Sequence, residues 1–386
     1  MSGNEAHLRN RALETVLRLR QSRFPYPMKR HLHLWAALAA LVFALPAVAA
    51  EAFTSGPGWL EFPAGKGPGA GKHVVLLASD EEYRSEESMP MIARILAERH
   101  GFKCTVLFSH DDGVINPNNG ASLGKPEALD TADALVLGLR FRKWNEAALA
   151  KFDAAVKRGV PIVATRTSTH AFSGIPKESP YAWYNWNNQG GFGKKVLGET
   201  WVSHWGNHKS EATRTAVEPG AEKSALLSGV GQIFGDTDVY EAHPPADATI
   251  LLRGLVLKGM NPEDPLSERA KKTADKKEQG VNSPAMAVAW TREVPNAGGT
   301  KNRVLTTTMA SASDLKDESL RRLLVNGVFW GLGLEVPARA DVTPVVEWKP
   351  GKYSFNMFQP GLKAADFAGV LPPPVIAPPP APKKKK

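Results

Sequence analysis

Four short apolar runs, spaced as the strands of one buried sheet, constrain this sequence more than any other feature. They are His73–Ser79, Phe102–Ser109, Ala134–Leu139 and Val160–Thr165. The runs are continuous rather than alternating, as expected of strands that helices cover on both faces. Helical spacing over Glu86–His100 and Trp144–Arg158, each closed by a glycine, separates the strands. This order predicts an α/β fold with an open, mostly parallel sheet, helices on both faces and right-handed crossovers.

The second half of the sequence is less regular. Strand-like runs return at Thr237–Glu241, Thr249–Leu255, Met286–Trp290 and Arg303–Thr308, and a helical pattern covers Glu318–Trp330. Residues 173–215 are rich in Trp, Tyr, Asn, Gly and His, which predicts a long functional loop region with a short helix near Phe192–Leu197.

The N-terminal segment predicts export. A basic pair after Met28 precedes an apolar run over residues 34–45, and small residues at 47–50 follow at a spacing that suits cleavage. These are the three parts of a signal peptide, and twelve apolar residues are too few to span a bilayer. We therefore expect residues 1–50 to be a signal region with Met28 as the true start. The mature protein is expected to be periplasmic or extracellular, and an uncleaved anchor is the alternative.

The net charge of +9 is concentrated near the two ends of the chain. Residues 1–50 carry +5 and the last four residues are lysines, so the part between them is close to neutral. We therefore predict no nucleic-acid groove. The single cysteine, Cys104, excludes an internal disulfide and a metal site built on cysteines.

Composition divides the chain beyond the signal region into four segments. They are a linker at 51–71, one domain at 72–335, a C-terminal extension at 336–370 and a tail at 371–386. The tail is rich in proline and ends in lysines, so it cannot form a core and is expected to be disordered.

Two polar segments follow strands of the predicted sheet at its carboxyl edge, where open parallel sheets bind ligands. Glu82 and Arg84 follow the first strand, and Arg166 and His170 follow the fourth. The turn after the first strand is rich in acids, and such a turn can supply a general base or bind sugar hydroxyls. The alternative for its later acids is helix capping, with Ser85 at the N-cap.

The histidine pair, His204 and His208, is a candidate for metal binding or proton transfer. A spacing of four places two imidazoles on one face of a helix, as a metal site requires, but Gly206 and Asn207 disfavour a regular helix here. No third ligand is evident in the sequence. Proton transfer or hydrogen bonding to a substrate is the second interpretation, and a structural role is the third.

Aromatic residues are interleaved with amides over residues 181–188, and Trp183 and Trp186 are the largest of them. Aromatic rings stack on the C–H face of a sugar and amides bond its hydroxyls, so this segment predicts a carbohydrate site. A loop held in place by its own aromatic side chains is the alternative.

Taken together, several segments resemble the ThuA-like (trehalose-utilisation) family. They are DEEYRSEE at 80–87, TRTSTHAF at 165–172, ETWVSHWGNHKSEATR at 199–214, PAMAVAWTRE at 284–293 and LRRLLVNGVFWGLG at 320–333. The resemblance covers roughly residues 72–335. It implies a flavodoxin-like open sheet similar to that of class I glutamine amidotransferases, and a role in sugar metabolism on oxidised (3-keto) glycosides.

Two departures from these families narrow the chemistry. Amidotransferases of this fold carry a nucleophilic cysteine on the turn where this chain has Arg166, so glutamine hydrolysis through a thiolate is excluded. Many ThuA-like members carry a histidine just after the late strand, where residues 309–314 of this chain contain none. Asp314 could substitute for that histidine or cap the following helix.

The resulting expectation is one pocket that acts on a sugar or keto-glycoside. One histidine of the pair His204 and His208 would move a proton, Arg166 would polarise the carbonyl, and Glu82 would fix a hydroxyl or act as base. The side chains expected to bind the sugar are Arg84, His170, Trp183 and Trp186. No cofactor is required in this scheme, although a divalent metal at the histidine pair is kept open.

Two other classes of function compete with an enzyme. One is a catalytically inactive module that binds a carbohydrate or a protein and therefore needs no acid–base pair. The other is a structural protein of the wall or matrix, whose basic tail contacts an anionic polymer. The expected partner of the enzyme is a small sugar, with neither a nucleic acid nor a stable membrane span.

Overall fold

The computed structural model describes residues 53–371. The strands in that part of the chain are β1 (Thr54–Gly56), β2 (Trp59–Phe62), β3 (His73–Ser79), β4 (Lys103–Phe108), β5 (His110–Asp111), β6 (Val114–Ile115), β7 (Ala134–Leu139), β8 (Ile162–Thr165), β9 (Thr213–Val217), β10 (Phe234–Gly235), β11 (Thr249–Val256), β12 (Ala270–Lys272), β13 (Glu278–Gly280), β14 (Met286–Pro295) and β15 (Lys301–Thr307). The α-helices are α1 (Ser85–His100), α2 (Glu146–Lys157) and α3 (Glu318–Gly331).

Short helical turns connect these elements. Turns of 3₁₀ helix cover Pro126–Thr131, Arg166–His170, Ala182–Tyr184, Ala225–Leu227, Asp314–Lys316 and Ala364–Ala368. A π-helical turn covers Gly193–Leu197, where the sequence predicted a short helix.

Eleven strands form one mixed sheet in the order β1-β2-β4-β3-β7-β8-β15-β14-β11-β9-β10. The five central strands, from β4 to β15 in this order, are parallel. The outer pairings are antiparallel. The expectation of a mostly parallel sheet is therefore correct only for the centre. Residues 296–300 alone join β14 to β15, which is too short for the crossover that parallel neighbours need.

Helices cover the central strands on both faces, as the sequence predicted. Because side chains alternate along a strand, Val74 and Leu76 of β3 pack with α1 and α3, whereas Val75 and Leu77 pack with α2. Each such side chain, when fully buried, stabilises the fold by about 1.5–3 kcal/mol. The core thus fixes the central sheet, and the carboxyl ends of β3, β7 and β8 are held at one edge.

Residues 54–62, predicted to belong to a linker, form an edge hairpin instead. β2 pairs with β4 and extends the main sheet. Leu60 and Phe62 are fully buried, whereas Trp59 and Glu61 are partly exposed, which is the period-two pattern of a strand covered on one face. Two apolar residues separated by an acid were too short a signal to distinguish this edge strand from a linker.

The C-terminal extension packs against the same body. Ala340 and Val342 are buried with the side chains of α1 and α3. Phe367 contacts Phe108 of β4, with ring centroids 5.5 Å apart. The segment between them carries Tyr353 to the carboxyl edge of the sheet, so the domain predicted to end at residue 335 includes much of the extension.

The predictions for the signal region, for Met28 and for the proline-rich tail fall on residues 1–52 and 372–386, outside the described residues. Between residues 53 and 371, no helix combines the length and the hydropathy that crossing a membrane would require.

Candidate functional site

Asp80, directly after β3, shapes the turn that carries Glu82. Its carboxylate accepts hydrogen bonds from the backbone N–H groups of Glu82 at 2.8 Å and of Tyr83 at 3.0 Å. Its second oxygen accepts the hydroxyl of Thr167, which follows β8. The turns after two strands of the sheet are thereby tied together, and Asp80 positions Glu82 at the carboxyl edge.

Arg166 lies beneath the site, where its guanidinium is buried between two aromatic rings. The centroids of Tyr83 and Tyr240 are 4.3 and 4.2 Å from its central carbon. It donates to the carbonyl oxygens of Thr308 at 2.8 Å and Asp238 at 3.1 Å, and to the Asp238 carboxylate at 3.0 Å. Because the side chain is buried and its two terminal nitrogens both donate to protein groups, we assign Arg166 to holding Asp238 in place. The expected contact between Arg166 and a substrate carbonyl is corrected accordingly.

The centre of the site is the Asp238 cluster, which consists of Asp238, His204 and His208. The two carboxylate oxygens of Asp238 face the Nδ1 atoms of His204 at 2.8 Å and His208 at 3.0 Å. Burial alone would raise the pKa of Asp238, but hydrogen bonds from both histidines and the charge of Arg166 outweigh it and hold that pKa well below its usual range. The cluster therefore contains a permanently charged, buried carboxylate.

Glu82 lies on the other side of His208. Its Oε1 is 3.4 Å from Nε2 of His208, and its Oε2 is 3.7 Å from Nε of Arg140. The hydrogen bonds that His208 donates to Asp238 and Glu82 raise its pKa, because both carboxylates favour the imidazolium. Within residues 53–371, the Glu82 carboxylate has only these two long contacts, so it retains the capacity to accept a proton or a hydroxyl.

A row of aromatic rings borders the cluster. Trp201 lies 5.8 Å from His204 and 6.2 Å from Trp186, measured between ring centroids, and Trp186 lies 5.7 Å from Phe141. The three large rings are each partly exposed. His170 packs behind them, 5.8 Å from Trp201, and burial lowers its pKa well below the usual value, so it is neutral. His170, predicted to bind the sugar, is instead a buried ring that packs against Trp201 and Phe141 of the row.

The C-terminal extension completes the rim. Tyr353 stacks on Tyr83 with ring centroids 5.1 Å apart, and its ring lies 5.7 Å from that of His208. Phe355 is 46% exposed and covers the Arg140 guanidinium at 4.9 Å. Sequence reasoning missed both side chains because they lie outside the predicted domain.

Arg84, predicted to bind substrate, lies in a buried ion pair at the start of α1. Its guanidinium is 3.0 Å from Glu86 and 2.9 Å from Glu87. Arg84 itself occupies the N-cap position, at a φ of 62°, and offers no side-chain cap, so the predicted capping by Ser85 is wrong. The two acids serve the helix start rather than the Asp238 cluster.

Trp183, also predicted to bind the sugar, lies away from the cluster. It packs with the α2 layer and lines a cavity of about 510 Å³ together with Tyr181, Asp153 and Lys195. The two tryptophans of the aromatic segment 181–188 therefore have different surroundings. Trp186 faces the candidate site, whereas Trp183 packs the loop against the domain.

Asp314 does not replace the missing late histidine. Its carboxylate accepts hydrogen bonds from the side chain of Thr237 at 2.6 Å and from the N–H groups of Ala310 and Ser311 at 3.0 and 3.1 Å. Burial raises its pKa to about 6. Asp317, not Asp314, caps α3. The role of Asp314 is to hold the loop after β15 through the hydrogen bonds to Thr237, Ala310 and Ser311.

The Asp238 cluster also contains a donor set that can hold a metal. One ligand atom from each of its three residues lies within 4.8 Å of the others. The sequence offered no third ligand, because Asp238 lies inside the strand-like run Thr237–Glu241 and looked like part of a strand. The structure forms only a single bridge there, between His204 and Tyr240.

Comparisons with known proteins give structural likeness only. No family model matches the sequence and no curated protein matches it. A Bacteroides uniformis protein described as ThuA-like superposes with a TM-score of 0.43 at 14% identity, covering 70% of this chain and 94% of that one. A Parabacteroides merdae protein with the same description gives 0.42 at 13%, covering 74% and 97%.

A Thermoplasma acidophilum protein described as part of a GMP synthase gives a TM-score of 0.33 at 11% identity, over 67% of this chain and 92% of that one. All three scores are low, so these structures carry no inference about residues or chemistry. The link to the ThuA-like family is a resemblance that the sequence segments carry.

Proposed function

We propose that this protein binds a carbohydrate at the Asp238 cluster and removes a proton next to a keto group of that sugar. The observation that carries the proposal is His208, held between the carboxylates of Asp238 and Glu82 and bordered by the aromatic row that begins at Trp201. Charged groups and exposed rings therefore converge on one position at the edge of the sheet, as carbohydrate sites require.

The rings and the polar tips have separate tasks in binding. Trp201 and Trp186 offer partly exposed faces on which the C–H face of a sugar ring can stack. The side chain of His204 is 37% exposed, and its Nε2 has no partner in the described part of the chain. Because its Nδ1–H donates to Asp238, Nε2 of the neutral ring can accept a hydrogen bond from a sugar hydroxyl, and only the protonated ring can donate to the keto oxygen.

Glu82 is the proposed base. Its carboxylate takes the proton from the carbon next to the keto group, the C–H electron pair forms the new C=C bond, and the carbonyl π electrons move to oxygen as an enolate. The imidazolium of His208, whose pKa the two neighbouring carboxylates raise, stabilises that oxygen. Return of the proton from Glu82 to carbon closes the cycle without any other reactant.

Glutamine hydrolysis is not part of the proposed function. The expectations that the protein is exported and acts in sugar metabolism are retained in the proposal. Cys104 lies in β4, far along the chain from the turn that carries Arg166, and its side chain is fully buried. Burial raises the pKa of this thiol well above the usual value, so no thiolate nucleophile forms.

A second candidate function is binding without turnover. The observation in its favour is that a paired, buried Arg166 occupies the turn where related folds place a nucleophile. In that case the Asp238 cluster and the aromatic row would hold a sugar while Glu82 merely bonds a hydroxyl.

Solvent exchange separates the two candidates. The full chain is incubated in D₂O with trehalose or its 3-keto form, and deuterium at the carbons next to the keto group is followed by NMR. We expect exchange into the keto form that Glu82→Gln reduces at least about 100-fold, in the range of a lost acid–base group. His243→Ala, at an exposed histidine that faces Glu241, is the control and should exchange normally. Binding without exchange in the unaltered protein would leave the second candidate.

A further inference from the structure

The two histidines of the Asp238 cluster present the same ring atom to one carboxylate. Nδ1 of His204 is 2.8 Å from one Asp238 oxygen, and Nδ1 of His208 is 3.0 Å from the other. Two ligands bound tetrahedrally about 2.1 Å from zinc lie about 3.4 Å apart. The two nitrogen–oxygen distances are those of hydrogen bonds, and a lengthening of about 0.5 Å would convert them to ligand spacings around one zinc ion. One ligand atom from each of the three residues already lies within 4.8 Å of the others.

The groups behind these ligands match those of metal sites. Metal-bound histidines usually direct their second ring nitrogen to a carboxylate, and bound carboxylates are themselves hydrogen-bonded. Here Nε2 of His208 faces Glu82 at 3.4 Å, and the Asp238 carboxylate accepts a hydrogen bond from Arg166 at 3.0 Å. His208 and Asp238 are thus each oriented by a further protein group, Glu82 for the histidine and Arg166 for the carboxylate.

The backbone holds the ligands at close range without a helix. The N–H groups of Trp205 and Gly206 donate to the carbonyl of Val239 at 2.8 and 3.0 Å, which pins the histidine loop to the segment of Asp238. A Cβ at position 206 would lie only 3.0 Å from that of Asp238. Glycine therefore permits the close approach, although it prevents the helix that the histidine spacing alone would favour.

One side of the cluster is open. The Asp238 side chain is fully buried, but those of His204 and His208 are 37% and 25% exposed. An ion can therefore reach the cluster from the exposed side of the two histidines, and its remaining coordination positions would face solvent, as in catalytic rather than structural sites.

We infer that His204, His208 and Asp238 bind one divalent transition-metal ion of the zinc type. Two imidazoles and a carboxylate suit zinc and its neighbours in the first transition row, whereas magnesium and calcium prefer oxygen ligands. Because the histidines bind as neutral ligands, the ion replaces both Nδ1 protons. The inference rests on the site of the proposed function and adds that the positive charge beside the keto oxygen is the ion's, but metal binding itself needs no sugar.

Calorimetry on the chelator-treated full chain tests the inference directly. We expect one equivalent of Zn²⁺ to bind, and Co²⁺ to give visible absorption bands of a low-symmetry site. His204→Ala and His208→Ala should each weaken Zn²⁺ binding more than about 100-fold, and Glu82→Gln, which alters only a second-layer contact, about 10-fold. Mg²⁺ should not compete, and His243→Ala should bind Zn²⁺ normally.

The inference is wrong if the unaltered chain, folded by circular dichroism, binds no stoichiometric Zn²⁺, or if both histidine variants keep its affinity and the Co²⁺ spectrum. The sugar experiment is independent of this result. Zinc binding without deuterium exchange would uphold the metal site and reject the proposed reaction. Deuterium exchange by a metal-free chain that binds no zinc would uphold the proposed reaction and reject the metal site.

Discussion

The site depends most on one residue, Asp238, because three cationic or proton-donating side chains share its carboxylate. His204, His208 and Arg166 all donate to it, and both Asp238 and Arg166 are almost completely buried. Removing the charge would leave the Arg166 guanidinium buried without a counter-ion. That loss is costly, since a buried ion needs a partner.

Asp238→Asn should therefore lower the free energy of unfolding by about 3 kcal/mol. Urea denaturation monitored by circular dichroism measures this change. Asp247→Asn is the matched control, because Asp247 also pairs with an arginine at 2.8 Å but is 54% exposed, and should change stability by less than about 1 kcal/mol. Equal effects of the two substitutions would contradict a structural role for the buried charge.

Trp201, rather than Trp183, is expected to stack against the sugar ring. Trp201→Ala should weaken binding of the keto-sugar about 10-fold, which corresponds to about 1.4 kcal/mol for a lost stacking surface. Trp183→Ala should leave the affinity unchanged, since that ring lies in the α2 layer. Calorimetric titration compares the two, and the opposite ranking would place the sugar elsewhere.

The residues of the site were only partly predictable. Glu82 was predicted because polar groups after buried strands converge at one edge, and the histidine pair was predicted from its spacing of four. The structure brings the three side chains together. Asp238 was missed because its segment, Thr237–Glu241, was predicted to be a strand, and an acid in such a segment gives no signal of its own. Arg84 and Trp183 were misplaced, since their partners, buried acids and the α2 layer, are set by packing that a local pattern does not contain.

At the scale of elements, the start of α1 combines one buried guanidinium with two buried carboxylates. Arg84 bonds Glu87 through two nitrogens, whereas Glu86 lies at ion-pair distance without a hydrogen bond. Burial, opposed by Arg84 and assisted by Glu87, raises the pKa of Glu86 to about 7. One cation cannot neutralise two anions, so the folded protein binds a proton there.

Stability should therefore fall as pH rises from 5 to 8. The folded pKa of Glu86 exceeds its ordinary value of 4.5, so its contribution is complete below pH 4.5 and is lost as pH passes about 7. The loss amounts to about 3 kcal/mol at most. Glu86→Gln should reduce this decline in melting scans at pH 5 and pH 8 and leave the part that Asp314 contributes through its own raised pKa. Glu98→Gln, on the partly exposed end of the same helix, should retain it.

The central strands and the three α-helices between residues 53 and 371 were predictable because continuous apolar runs and helical spacing are local signals. The antiparallel flanks were predictable only in part. The strand-like runs at β11 and β14 were recognised, whereas β2, β9 and β10 are too short to give a pattern of their own. The segment predicted as a strand at Thr237–Glu241 forms a site-bearing loop instead. It is held by the bridge between His204 and Tyr240, which no local pattern shows.

At the scale of the whole molecule, the C-terminal extension is part of both the core and the site. Val342 and Phe367 are buried, and Tyr353 stacks against the turn that carries Glu82. A chain ending at residue 335 should therefore melt at a lower temperature and lose affinity for the sugar. A chain ending at residue 371 should behave as the full chain, and differential scanning calorimetry with sugar titration distinguishes the two. Normal binding by the shorter chain would rule out the extension as part of the site.

The most direct test of the whole account is a crystal structure of the Glu82→Gln variant with a 3-keto disaccharide. We predict that the sugar ring stacks on Trp201, that its keto oxygen faces His204 and His208, and that its adjacent carbon lies about 3–3.5 Å from the side chain at position 82. A sugar bound in the cavity beside Trp183, or bound at the cluster with its keto group turned away from position 82, would contradict the account.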